Sequence, residues 1–93
     1  MKISYDAKKR ARTLIERGLD FEDAAELFVR MHYGDLDERR NYGEPREISV
    51  GVVRGEVVVV VWTERGDTRR IISMRKADRD ERADYNEFLD RSR

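Results

Sequence analysis

The sequence predicts an α+β fold in which two N-terminal helices pack on a small antiparallel sheet and a third helix closes the C-terminus. Three observations predict it. Residues 57–62 are five valines and a tryptophan with no alternation, the pattern of a strand buried on both faces. Turn chemistry brackets that run, with Arg54-Gly55 before it and Arg65-Gly66-Asp67 after it, so it becomes the middle of a three-stranded meander. Upstream lie two stretches of helical period, each apolar on one face only, which together cover one side of a sheet.

Taken in order, Lys2 to Tyr5 reads as a short strand and Asp6 as a helix N-cap. Ala7, Ala11, Leu14 and Ile15 share one stripe of the first helix, and Gly18 stops it. Asp20-Phe21-Glu22-Asp23 opens the second helix, with Phe21, Ala24, Ala25 and Phe28 as its buried face and Leu27 and Met31 flanking. Residues 32–45 are polar and rich in Asp, Gly, Asn and Arg, and read as a long loop. Arg46 to Val53 alternates, placing Ile48, Val50 and Val52 on one side and Glu47, Ser49 and Gly51 on the other, as a half-exposed strand does. The strand after Gly66 divides into Arg69, Ile71, Ser73 and Arg75 on one face, and Arg70, Ile72, Met74 and Lys76 on the other. Asp78 and Glu81 have capping-box spacing for a last helix over residues 78–93, whose apolar content is only Ala83, Tyr85, Phe88 and Leu89. So sparse a face predicts marginal packing, or a helix that waits for a partner.

Ninety-three residues make one domain with one modest core. With 43% charged and 39% hydrophobic residues, a soluble protein with an ionic surface is expected. The chain has no cysteine and a single histidine, His32, so thiolate and histidine-rich metal sites are excluded and no metal or other cofactor is expected. Met1 to Tyr5 leads into a charged helix rather than a signal peptide, and no apolar run approaches a membrane span, so a cytoplasmic protein without membrane contact is expected. Net charge is zero but unevenly spread. Residues 1–17 and 50–77 carry +4 and +3, while residues 18–49 and 78–93 carry −5 and −2. That pattern suits either opposed basic and acidic faces or a surface laced with salt bridges.

Catalytic constellations built on cysteine, on a glycine-rich phosphate loop, or on serine with a spaced histidine are absent. The arginines fixed on the last strand remain. Placed on an open sheet face with Ser73, Ser49 and Glu47, Arg75 has the chemistry to hold a phosphodiester and to stabilise charge developing on phosphorus. Surface ion pairing is the bland alternative for the same residues. Trp62, Tyr5, Phe21 and Tyr85 read as packing groups, and His32 as a structural residue at a helix end.

Several landmarks in order resemble the BrnT family of bacterial type II toxins, small ribonucleases of RelE-like fold whose partner is the BrnA antitoxin. They are Tyr5-Asp6 with Lys8, Phe21-Glu22-Asp23-Ala24-Ala25 with Phe28, Arg46 and Gly51, Thr63-Glu64-Arg65, Arg70-Ile71-Ile72-Ser73, Arg75-Lys76-Ala77, and Glu81-Arg82 with Tyr85. The resemblance implies a single RelE-like toxin domain over residues 1–93 that arrests translation by cleaving RNA through 2′-hydroxyl attack, without metal. It further implies neutralisation by a BrnA-like antitoxin, with DNA engaged only through that antitoxin. On this reading Arg46, Ser73 and Arg75 are the catalytic set, and Lys8, Arg70 and Lys76 hold the RNA. Glu47 and Glu64 are the candidate bases. Three positions depart from the family pattern: Glu16-Arg17-Gly18 replaces a lysine–histidine–glycine, Arg12 an asparagine, and Met74 a small residue. With the neutral net charge, these departures frame the alternative of a catalytically degenerate homologue that acts as a binding partner and co-repressor.

Overall fold

The computed structural model describes residues 1–92, so Arg93, the end of the span expected for the last helix, lies outside the described residues. The elements are β1 (Lys2–Tyr5), α1 (Ala7–Arg17), a single 3₁₀ turn (Phe21–Asp23), α2 (Ala24–Val29), β2 (Tyr33–Leu36), β3 (Glu47–Val53), β4 (Glu56–Arg65), β5 (Thr68–Lys76) and α3 (Arg79–Arg91). They build an α+β fold consistent with the RelE-like class. The five-stranded sheet runs β1-β5-β4-β3-β2. Its pairs are antiparallel except β1 with β5, so the sheet is mixed rather than wholly antiparallel.

Local chemistry at the element ends is as expected. Asp6 accepts from the amides of Lys8 and Lys9, and Gly18 ends α1 at φ 68 while its N–H returns to the Leu14 carbonyl. Arg54 and Gly55 both take positive φ, the conformation of a two-residue hairpin turn that follows the twist of the strands. The capping box of α3 is complete, with Asp78 accepting from the Glu81 amide and Glu81 from the Asp78 amide.

β4 lies inside the sheet. Val58 and Val60, both 0% exposed, join Trp62 and Met74 under Phe21, Ala24, Leu27 and Phe28 on the first face. Val57 and Val59 belong to a second cluster with Val50, Tyr33, Tyr85, Phe88 and Leu89 on the opposite face. Burial of each such side chain stabilises by about 1.5–3 kcal/mol. Amides of residues 58–61 are accordingly expected to be the slowest to exchange with deuterium, and exchange as fast as at β2 would contradict a core centred there.

Four expectations are corrected. The stripe of α1 is not buried: Leu14 is 44% and Ile15 85% exposed, because α1 flanks the edge of β5 instead of lying on the sheet. β1 pairs with β5 only as far as Tyr5 opposite Ile71, and α1 borders the rest of that edge, where an Arg17 Nη donates to the Met74 carbonyl at 2.8 Å. The presumed loop over 32–45 contains β2, paired antiparallel from Tyr33 opposite Val50 to Leu36 opposite Glu47. Backbone pairing at a sheet edge outweighs the poor strand propensity of Gly34 and Asp35. The polar side of β3 is the one beneath α2. Ser49 is buried and its hydroxyl accepts from the Trp62 indole at 2.9 Å, so neither it nor Glu47 shares a face with Ser73 and Arg75.

The fourth correction is a β-bulge. Val61 faces Ser73 and Trp62 faces Ile71, which leaves Ile72 as an extra residue on β5. Ile71 and Met74, not Ile72 and Met74, are therefore the covered pair, and Arg70 shares a face with Ser73 and Arg75. Arg69 turns to the helix side, with its guanidinium 4.5 Å from the Phe28 ring and 4.6 Å from that of Trp62. As its sparse apolar face predicts, α3 packs marginally, with one buried residue. Tyr85 is 3% exposed, its hydroxyl donates to the Met31 carbonyl at 2.8 Å, and Phe88 and Leu89 are half-buried beside it.

Candidate functional site

On the sheet face that carries α3, the strands align Arg46, just before β3, with Thr63 on β4 and Arg70 on β5. Thr63 is buried and donates to the Pro45 carbonyl at 2.7 Å, which holds the chain at Arg46 against β4. Beyond Arg70 stands the N-terminal half of α1. Lys9 and Arg12, one turn apart, share a helix face, and with Thr13 and Ser73 they line a depression of about 240 Å³. Four cations from three parts of the chain thus surround one patch.

Electrostatics reports the same assembly. The Lys9 ammonium is pushed below the ordinary lysine value, first by desolvation and then by the charges of Arg46, Arg70 and Arg12. Asp6 is held below the usual carboxylate range by the Lys9 and Lys8 amides and by Arg70, so it stays an anion. Ion pairing leaves most of the patch open, as it also leaves Lys8, Arg17, Arg40, Arg69, Arg79 and Arg82 among the described residues. Pairs within 4 Å occupy Lys2, Arg10, Arg30, Arg39, Arg54, Arg65, Arg75, Lys76 and Arg91. Among the described residues Lys9, Arg12 and Arg70 have no such pair, and Arg46 meets Glu44 only at 3.9 Å. Arg46 instead stacks over the Tyr42 ring at 4.0 Å, with its Nε buried and without a hydrogen-bond partner among the described residues.

The other expected site residues lie elsewhere or are engaged. Ser73 is on this face, between Arg70 and Arg75. Arg75 forms a two-pronged pair with Glu81 at 2.7 and 2.8 Å, which pulls the Glu81 carboxyl down to about 2. Lys76 lies opposite Val58, on the helix side, and pairs with Glu56 at 3.3 Å. Lys8 is exposed next to Asp6. Glu47 and Glu64 pair across the sheet with Trp62 and Arg69, so both face away from Arg70. Sequence reasoning passed over Lys9, and it named Arg12 and Arg17 only as departures, although both line the depression at Ser73. The i, i+3 spacing of Lys9 and Arg12 beside the parallel strand was the available signal.

The Arg75–Glu81 pair makes a test of its own. Glu81 has a lowered carboxyl, so its contribution is present above the ordinary value of 4.5 and is lost as pH falls through about 2. Both side chains are partly exposed, so Glu81→Gln is expected to cost no more than about 1 kcal/mol at neutral pH and to flatten the acid limb of stability in urea titrations.

The family described as ribonuclease toxin, BrnT, of type II toxin-antitoxin system matches residues 5–81. The chain belongs to the BrnT family. It is thereby a ribonuclease toxin of a type II toxin–antitoxin system, which brings an RNA substrate and an antitoxin partner. No curated protein shows significant similarity to it. The BrnT match ends at Glu81, the residue that pairs with Arg75, and it spans the whole cation patch. Among the described residues no helix is long and apolar enough to cross a membrane, and no cluster of three acids or histidines is placed to hold a metal ion.

Proposed function

We propose that this BrnT toxin cleaves single-stranded RNA at the patch formed by Lys9, Arg12, Arg46 and Arg70, with Ser73 beside it, and needs no metal ion to do so. One observation carries the reading: Lys9, Arg12, Arg46 and Arg70 come from three parts of the chain to one patch, and among the described residues only Arg46 of the four has an acid within 4 Å, Glu44 at 3.9 Å. Their mutual repulsion is a standing cost that a bound phosphodiester would relieve. In the reaction a 2′-hydroxyl attacks the adjacent phosphorus. The O2′–P bond forms as the P–O5′ bond breaks, the hydroxyl proton leaves to a base, and the departing O5′ takes up a proton. The products are a 2′,3′-cyclic phosphate and a 5′-hydroxyl. Arg70, Arg46 and Lys9 offset the charge that grows on the phosphoryl oxygens, and Ser73 donates a hydrogen bond to one of them. Arg75 reaches the RNA only by exchanging Glu81 for a phosphate. Lys8 attracts the backbone from the rim, and Lys76, on the other face, takes no part.

A BrnA-like antitoxin would neutralise the toxin by laying an acidic segment over the same patch, and DNA would be met only through that antitoxin. The test is induction of the chain in bacteria, with primer extension on total RNA and cleavage of a purified RNA in the presence of EDTA. Growth arrest with cuts that persist in chelator is expected. Intact RNA, or cleavage that stops when divalent ions are removed, would sink the proposal.

A further inference from the structure

The segment from Asp37 to Arg46 is more ordered than a polar loop needs to be. The Asp37 side chain is fully buried and accepts from the Arg39 amide, the Arg39 Nε and Nη at 2.8 and 2.7 Å, and the Tyr42 hydroxyl at 3.0 Å. Its own N–H donates to the Arg46 carbonyl at 2.8 Å, closing the segment into a ring fixed at both ends. These bonds hold its carboxyl well below the usual carboxylate range. Within the segment lies an open cavity of about 430 Å³, lined by residues 36–38, 40–42 and 44–46. That volume falls within the range of about 300–1,000 Å³ usual for small-ligand sites. Arg46 lines this cavity and also acts on Lys9 in the cation patch, so the two sites are joined through one side chain.

We infer that this cavity is a base-reading subsite of the toxin, which takes the nucleobase next to the phosphate held by Arg46, Arg70 and Lys9. A planar guanidinium stacked over a tyrosine ring is a platform on which a base can lie, and single-stranded RNA is recognised by such stacking. The Asn41 side-chain oxygen already accepts from the Gly43 amide, which leaves its amide protons for an acceptor on the base. Glu44 accepts from the Arg65 guanidinium on both oxygens at 3.5 Å, long contacts that an exocyclic amino group of the base would replace. Asp37 serves as the positioning residue that keeps Tyr42 in place.

This inference rests on the proposed RNA site, and binding experiments separate the two. The probes are a short oligonucleotide with a 2′-deoxy residue at the cleaved position and its counterpart with abasic sugars, each followed by fluorescence anisotropy. The wild-type chain is expected to bind the base-bearing probe about 5–50-fold more tightly, as one or two stacked bases would give. Tyr42→Ala should abolish that preference and leave abasic binding unchanged. Tyr42→Phe, which keeps the ring, should retain it. Equal binding of both probes by the wild type overturns the subsite, as does a uniform loss with Tyr42→Ala that extends to the abasic probe. Lys9→Ala and Arg70→Ala should weaken both probes alike. If they change neither while the Tyr42 pattern holds, the subsite stands and the cation-patch assignment falls.

Discussion

Arg70→Ala is expected to lower the single-turnover rate of RNA cleavage by about 10²–10³, the usual consequence of removing one donor aimed at charge that develops in a transition state. Arg46→Ala should match it, because Arg46 approaches the same patch from the other side of Thr63. Arg75→Ala is expected to do less, below about tenfold, since Glu81 already holds that guanidinium. Lys76→Ala should do nothing, being on the other face. None of the patch variants should unfold the protein. The Lys9 ammonium has a lowered pKa, so while Lys9 is charged in both states the folded form bears the unfavourable interaction. That burden lightens as pH rises through the lowered value, and Lys9→Gln removes it at every pH. Activity should move the opposite way. A phosphate ligand must be protonated, so cleavage should decline with rising pH sooner than an ordinary lysine would require. A stable, folded Arg70→Ala that cuts RNA at the wild-type rate would discard the assignment.

The frame of the fold was legible wherever one residue type answers one local demand. Gly18, Asp6, the Arg54-Gly55 turn and the Asp78–Glu81 capping box each stand where backbone chemistry requires them. The valine run could be assigned as interior because absence of alternation admits few other meanings. What failed depended on registers that periodicity cannot carry. The single extra residue at Ile72 reverses the facing of everything on β5 before it, which is why Arg70, and not Arg69 or Ile72, joins Ser73. On β3 the alternation was read correctly and its sense inverted. Small and polar residues mark the face that helix α2 approaches closely, while Ile48 and Val50 meet the half-buried rings of α3.

Which cations of the arginine-bearing strand lack an acid partner was not legible, because ion pairing is a property of the folded neighbourhood. Glu81 lies six residues from Arg75 and Glu56 lies twenty from Lys76, and nothing in the spacing announces either pair. Lys9 comes near Arg46 and Arg70 only because the parallel pairing of β1 carries α1 alongside β5. Family resemblance pointed to Lys8, and the helix turned its neighbour toward Arg70 instead.

Gly51 is one position where resemblance and geometry agree, and it predicts a large loss of stability from adding a single carbon. A Cβ built there would sit 2.8 Å from Leu27 Cγ and 3.1 Å from His32 Cβ. Leu27 is fully buried between β3 and the rest of the core, so it cannot swing away, and the new carbon must push α2 off the sheet. Gly51→Ala is expected to cost about 1–3 kcal/mol, as overpacking usually does, and Gly51→Val more. For a domain of this size each kcal/mol lowers Tm by about 4–8 °C. Leu27→Ala alone should cost about 2–5 kcal/mol by opening a cavity. Combined with Gly51→Val it should cost less than the sum, because the new methyl groups occupy the space that Leu27 leaves. Urea titration of the four proteins closes the cycle. Strict additivity would mean that contact with Leu27 is not what excludes a side chain at position 51.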